Sequence, residues 1–219
     1  MRLLPILLAA LLLPSSASAA GVMGGSLNRV GVKSHNAAGG WPDFMYVWEG
    51  LSKEKVALGP RVDLRAWPLT LGLGLHARFS LVDSKKFSLA ALAHPSIALA
   101  AFGGAKGTYP VNFGYGRSRT FRFSFGPVLD FGLLASIHIN PRWHVIINWE
   151  NPVAFWVWTN PAAWYIEWPF VFSGGIEYDA FHATSLFARV GGGPTVAFSG
   201  GNQLLGFNWH IQVGAQFRY

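Results

Sequence analysis

The last fifteen residues constrain the fold more than any other part of the chain. Leu205, Phe207, Trp209, Ile211, Val213, Ala215, Phe217 and Tyr219 alternate without a break with Gly206, Asn208, His210, Gln212, Gly214, Gln216 and Arg218. A period of two puts the first set on one face of a strand and the second on the other. Strands of soluble domains typically run about five or six residues. This one runs nearly three times that length and is apolar along one whole face.

The pattern recurs upstream. Val56, Leu58, Val62 and Leu64 alternate with Arg61, Asp63 and Arg65, and Leu69 to Leu81 alternates with Thr70, Gly72, Gly74, His76, Arg78 and Ser80. Phe121 to Leu133 alternates with Arg122, Ser124, Gly126 and Asp130, and Ile166 to Tyr178 with Glu167, Ser173, Gly175 and Glu177. No charge falls on an apolar face. Lipid imposes that exclusion, since Arg or Lys at a bilayer midplane costs about 2–4 kcal/mol in a barrel strand.

Composition separates this reading from a soluble β-sandwich or lipocalin-like barrel, whose outer coat needs many charges. Charged residues make up 12% of the chain and hydrophobic ones 51%. Mean hydropathy is +0.30, yet beyond the first residues no apolar run is long enough for a spanning helix. A chain that crosses a membrane without helices must close its hydrogen bonds in a barrel. The expected fold is therefore all-β, an antiparallel up-and-down transmembrane β-barrel.

The N-terminus has the layout of a secretory signal: Arg2, an apolar core from Leu3 to Leu13, and the small-residue site Ala17-Ser18-Ala19. The core is short and is broken by Pro5 and Pro14, against a membrane anchor. Cleavage is expected after Ala19. Removal of Arg2 would leave 16 basic and 10 acidic residues. The organisation read from the sequence is 1–19 signal peptide, 20–53 N-terminal extension or first hairpin, and 54–219 barrel. With no cysteine, disulfides and thiolate metal sites are excluded.

Short turns are expected near Asp83–Lys86, Asn140–Arg142 and Asp179–His182, and longer loops near 103–118, 151–163 and 194–203. Strands then fall near 54–65, 68–82, 86–102, 120–139, 142–150, 164–178, 183–193 and 204–219, which makes eight. Ten is the alternative, if Ser26–Ser34 and Asp43–Leu51 pair around His35–Pro42; Asp43–Gly50 could instead be a short interfacial helix. Pro60, Pro127 and Pro169 are expected at bulges or strand ends, because proline gives up a ladder hydrogen bond. Trp143, Phe181, Phe87 and Tyr219 near the short turns, and Trp67, Trp156, Trp158, Trp164 and Tyr165 near the other end, suit two interfacial belts. The alternative for Phe155 to Trp158 is a ligand patch.

The C-terminal run Ile211, Val213, Ala215 and Phe217, ending on aromatic Tyr219, resembles the sorting signal of bacterial outer-membrane proteins; the usual last residue there is Phe. From residue 54 onward the chain resembles the small outer-membrane barrels of the OmpA-barrel, OmpX and OmpW types in architecture, with no stretch that assigns one family. The resemblance implies a Gram-negative outer membrane as the location and the barrel-assembly machinery as a partner, reading Phe217 and Tyr219.

On the inner face, Arg61, Arg65, Arg78, Arg122, Arg189 and Arg218 stand against Asp63, Asp130, Glu150, Glu167 and Glu177. Charges enclosed in a narrow lumen must pair, so an ion-pair network is expected there; a narrow channel or gate is the alternative. Lys106, Arg117 and Arg119 could meet lipopolysaccharide phosphates, with arginine offering bidentate contacts; an ordinary solvated loop is the plain alternative. His94 and Ser96 have the two-residue spacing a lipid deacylase would use. Their parity points both into the lumen, away from a lipid ester. Gly72-Leu-Gly74-Leu-His-Ala77 fits the loose dinucleotide pattern but sits inside a strand with no helix after it. No metal site, cofactor or nucleic-acid partner is expected. The partners expected are outer-membrane lipids and lipopolysaccharide. The leading function is non-enzymatic, in envelope integrity or surface interaction, with solute passage and lipid A modification as alternatives.

Overall fold

In the computed structural model the alternating segments become long strands: β1 (Ser34–Trp41), β2 (Asp43–Glu49), β3 (Leu51–Lys53), β4 (Val56–Ala66), β5 (Leu69–Asp83), β6 (Phe87–Phe102), β7 (Arg122–His138), β8 (Trp143–Thr159), β9 (Ala162–Pro169), β10 (Val171–Phe181), β11 (Thr184–Ser199) and β12 (Asn202–Arg218). The structure describes residues 23–28, 30–66, 69–102, 122–159, 162–181, 183–199 and 202–219. The expected signal peptide, the loop with Lys106, Arg117 and Arg119, and the Arg122 side chain lie outside this part.

All pairings are antiparallel, and β1 pairs with β12 from Ser34↔Arg218 to Trp41↔Ile211, which closes the sheet on itself. Closure leaves no edge to template aggregation. Ten strands make the ring. β3 runs on from β2 along β4, and β9 runs on from β10 between β8 and β11.

Ten strands correct the expectation of eight. The added hairpin is β1–β2, paired from Ser34↔Glu49 to Gly39↔Phe44. It forms differently from the ten-strand alternative in one arm: residues 35–41, read as turn, are most of β1, while Asp43–Glu49 is the strand that alternative had and not the interfacial helix of the other reading. The sequence Ser-His-Asn-Ala-Ala-Gly-Gly-Trp has no apolar alternation because its outward positions hold His35, Ala37 and Gly39.

Two expected loops are also strand. β8 continues through Asn151 and Pro152 to Thr159, and β11 continues through Gly191–Pro194 to Ser199. Asn-Pro and Gly-Gly-Gly-Pro look like turns in isolation, but pairing on both sides overrides them. Pro60 stays in register with β5, but on its other side it falls in the gap where the β4 ladder passes from β2 (Val47↔Arg61) to β3 (Leu51↔Leu58) with a one-residue shift, a bulge. Pro127 falls in a gap of the β7–β8 ladder, and Pro169 ends β9.

The connections at 54–55, 84–86, 139–142 and 182–183 share one end with the paired Lys33 and Tyr219 backbones. We call this the turn end. The opposite strand ends, at Trp41 and Asp43, Ala66 and Leu69, Phe102 and Arg122, Thr159 and Ala162, and Ser199 and Asn202, make the loop end. Outward positions are apolar and exposed from Leu69 to Leu75 on β5, from Phe123 to Ile137 on β7 and from Leu205 to Phe217 on β12. So broad an apolar band exceeds what a water-soluble monomer exposes; it is the surface of a membrane barrel. Trp143, Phe181, Phe87 and Tyr219 are exposed around the turn end.

Candidate functional site

An eight-stranded barrel is just wide enough for its own side chains to fill. Ten strands enclose more, and the extra space must be filled or left as a cavity. This lumen does one at each end.

At the turn end, residues 23–28 pass inside the ring. Arg78 of β5, 0% exposed, reaches across and binds Glu49 of β2 through two hydrogen bonds, Nε to Oε1 at 2.8 Å and Nη2 to Oε2 at 2.9 Å. Its Nη1 donates to the carbonyls of Gly24 and Ser26 at 3.1 and 3.0 Å. A buried pair is tolerable only when its remaining donors and acceptors are met, and the inner segment meets them. Asn28 Nδ2 donates to Glu49 Oε2 at 2.9 Å, and Gln216 of β12 donates to Asn28 Oδ1 at 3.2 Å.

The segment also touches the opposite wall. Gly25 N donates to Ser136 Oγ, and a Cβ on Gly25 would come within 2.3 Å of the Ser88 carbonyl oxygen. The hydroxyls of Ser26 and Ser88 are 2.6 Å apart. From there a hydrogen-bonded chain runs through His138 (3.2 Å from Ser88) to His144 (2.8 Å) and on to Asp179 (3.3 Å), which Ser185 also meets. Above this layer Met23, Ala38, Met45, Val47, Ile146 and Phe187 form an apolar cluster across the lumen.

Toward the loop end the lumen widens into a cavity of about 540 Å³. Its floor carries ion pairs. Arg189 binds the Glu150 carboxylate and donates through Nε to Gln212 Oε1 at 2.8 Å. Arg61 Nε donates to Asp63 at 2.9 Å, and its Nη1 lies 3.6 Å from Asp130. Nearer the mouth, Arg65 donates to Asp43 at 2.7 Å. Trp156 and Tyr165 stack with ring centres 6.1 Å apart and are buried inward. That corrects their expected place in the outer belt, while Phe155 and Trp164 do face outward.

Of the residues expected in one lumen network, the structure places Arg61, Asp63, Arg65, Asp130, Glu150, Glu167 and Arg189 on the cavity wall. Arg78, Glu177 and Arg218 belong to the turn-end half. Three partners were missed: Asp43, Glu49 and Asp179. The first two sit in the segment read as an extension or first hairpin, and Asp179 was read as turn; inward parity with Met45 and Val47 was the available signal for Glu49. His94 and Ser96 both face the cavity but share no hydrogen bond. His94 Nε2 instead faces Asp63 Oδ2 at 3.6 Å. A serine-activating pair is not assembled. Among the described residues no cluster suited to a metal ion occurs.

No protein-family model matches the chain, and no curated protein matches it. Among solved structures it is similar to the outer membrane protease OmpT from Escherichia coli, at 8% identity over 89% of this chain and 99% of that one, with a TM-score of 0.44. It is also similar to the KdgM porin, solved in complex with disordered oligogalacturonate, at 7% identity over 86% of this chain and 99% of that one, with a TM-score of 0.40. At these identities no site residue is carried over from either.

Proposed function

We propose that the chain is an integral barrel of a bacterial outer membrane, shut at its periplasmic end and presenting a polar cup to the exterior, with a role in surface interaction. Long loops face the outside in such barrels, and the one long connection between described strands, from Phe102 to Arg122, leaves the loop end, which supports a turn end facing the periplasm. The signal-like N-terminus, with cleavage after Ala19, and the sorting-like ending at Phe217 and Tyr219 support the same location. Lys106, Arg117 and Arg119, in the connection between β6 and β7 at the loop end, would face lipopolysaccharide phosphates.

The observation that carries the reading is the Glu49–Arg78 clasp on residues 23–28. Both side chains are 0% exposed, packed with residues 23–28 inside the turn end of the lumen. Breaking a buried, hydrogen-bonded pair costs about 3–5 kcal/mol, too much for routine thermal opening. Passage of solutes is therefore disfavoured. Planar-bilayer recording tests this: the purified protein should give no steady conductance, and a variant lacking residues 23–28 should give discrete steps. Steady conductance from the parent protein would overturn the reading.

A further inference from the structure

The loop-end cavity is out of charge balance. Among the described residues its wall carries three guanidiniums, from Arg61, Arg65 and Arg189, against five carboxyl groups, an excess of two acidic groups with no lysine beside them. The excess is localised. Asp130 is 5% exposed and its Oδ1 has no hydrogen-bond partner; Glu167 is 4% exposed and its Oε1 has none. His94, 3% exposed, also leaves its Nε2 without a hydrogen bond. Buried polar atoms are nearly always satisfied, and six on this cavity's lining are not: these three together with Arg61 Nη1, Trp156 Nε1 and His210 Nε2. The two carboxylate oxygens among them mark groups that a cationic ligand would complete.

We infer that the cup binds a linear di- or polyamine, held by Asp130 and Glu167 at its two ends. Asp130 pairs across to Pro152 on β8 and Glu167 to Ala154 on the other side of β8. Two strand spacings and two residues of rise separate them, roughly 12 Å between Cα atoms on standard sheet dimensions. That separation suits two ammonium groups on one flexible chain. Each ammonium brings three donors and no acceptor, matching oxygens that can only accept. Trp156 lines the same wall, and an indole face attracts an organic cation. The methylenes would lie along Ala98, Val128 and Ala154. A neutral sugar would satisfy the hydrogen bonds and leave the charge excess, and an anion would add to it.

The inference rests on the reading of an outward-facing cup. Calorimetric titration of the full-length protein in detergent micelles, with spermidine, putrescine, sucrose and citrate as probes, tests it. The amines should bind saturably, and Asp130→Asn and Glu167→Gln should each weaken binding by about tenfold or more, since each removes a charged partner. Sucrose and citrate should give no saturable heat. Folding of each variant is checked by its faster migration unboiled than boiled in SDS gels. Absence of amine binding, unchanged affinity in both folded variants, or equal binding of sucrose would overturn the inference. A barrel that conducts yet binds amines would break the shut-lumen reading alone; a silent barrel without amine binding would break this inference alone.

Discussion

The turn-end half of the lumen is filled by the chain itself, whereas the loop-end half is walled by the same strands and left as a cavity. β6 shows the contrast on one face: Ser88, bonded to Ser26 of the inner segment, and Ala90 are fully buried, while Ser96, a few residues on, lines the cup. β4 and β5 show it too, with Arg78 clasped at one end and Arg61 and Arg65 on the cavity wall at the other. The difference teaches what barrel width does. Ten strands leave space that wall side chains cannot close, and the ends differ only in whether backbone enters to close it.

The largest effect is expected where that filling is held. Glu49→Ala leaves the Arg78 guanidinium buried without its counter-charge, which should cost about 3–5 kcal/mol, read as a lower temperature at which the unboiled gel band is lost. A change within error would mean the clasp does not hold the two sides together. Next in size, Leu129→Arg on the outer face near the middle of β7 should cost about 2–4 kcal/mol in lipid, measured by urea-driven unfolding from vesicles. A neutral result would contradict a lipid-facing band.

How much of this was legible in the sequence varied with the residues concerned. The outer face of β5, β7 and β12 could be read because lipid demands an unbroken apolar alternation, and that demand writes itself into Leu69 to Leu81 and Leu205 to Tyr219. β1 could not be read, because its outward His35, Ala37 and Gly39 carry no such mark and only its pairing with β12 and β2 makes it a strand. Lumen parity gave most of the cavity charges. It could not give the partition into halves, because residues 23–28 have no period and their place depends on the Arg78 and Gln216 side chains from distant strands.

A smaller effect tests the fit of the inner segment. Gly25→Ala puts a methyl against the Ser88 and Leu134 carbonyls, and forcing the segment off the wall should cost about 1–3 kcal/mol, by analogy with overpacked cores. It should also raise background conductance, which a purely local loss of stability would not. The smallest effect belongs to the cup. Asp130→Asn should change stability by less than about 1 kcal/mol, since Oδ1 makes no hydrogen bond and Arg61, 3.6 Å from Oδ2, keeps its hydrogen bond to Asp63. A loss as large as that of Glu49→Ala would erase the distinction between a filled half and a binding half.

The most direct test of the two-halved lumen uses the absence of native cysteine. Ala90 and Ser96 lie on the same face of β6, so Ala90→Cys and Ser96→Cys place single thiols in the two halves. With the protein folded in vesicles and its loop end outward, a membrane-impermeant maleimide should label Ser96→Cys within minutes and Ala90→Cys only after unfolding. Rapid labelling of both in the folded barrel would show one continuous open lumen and contradict the account.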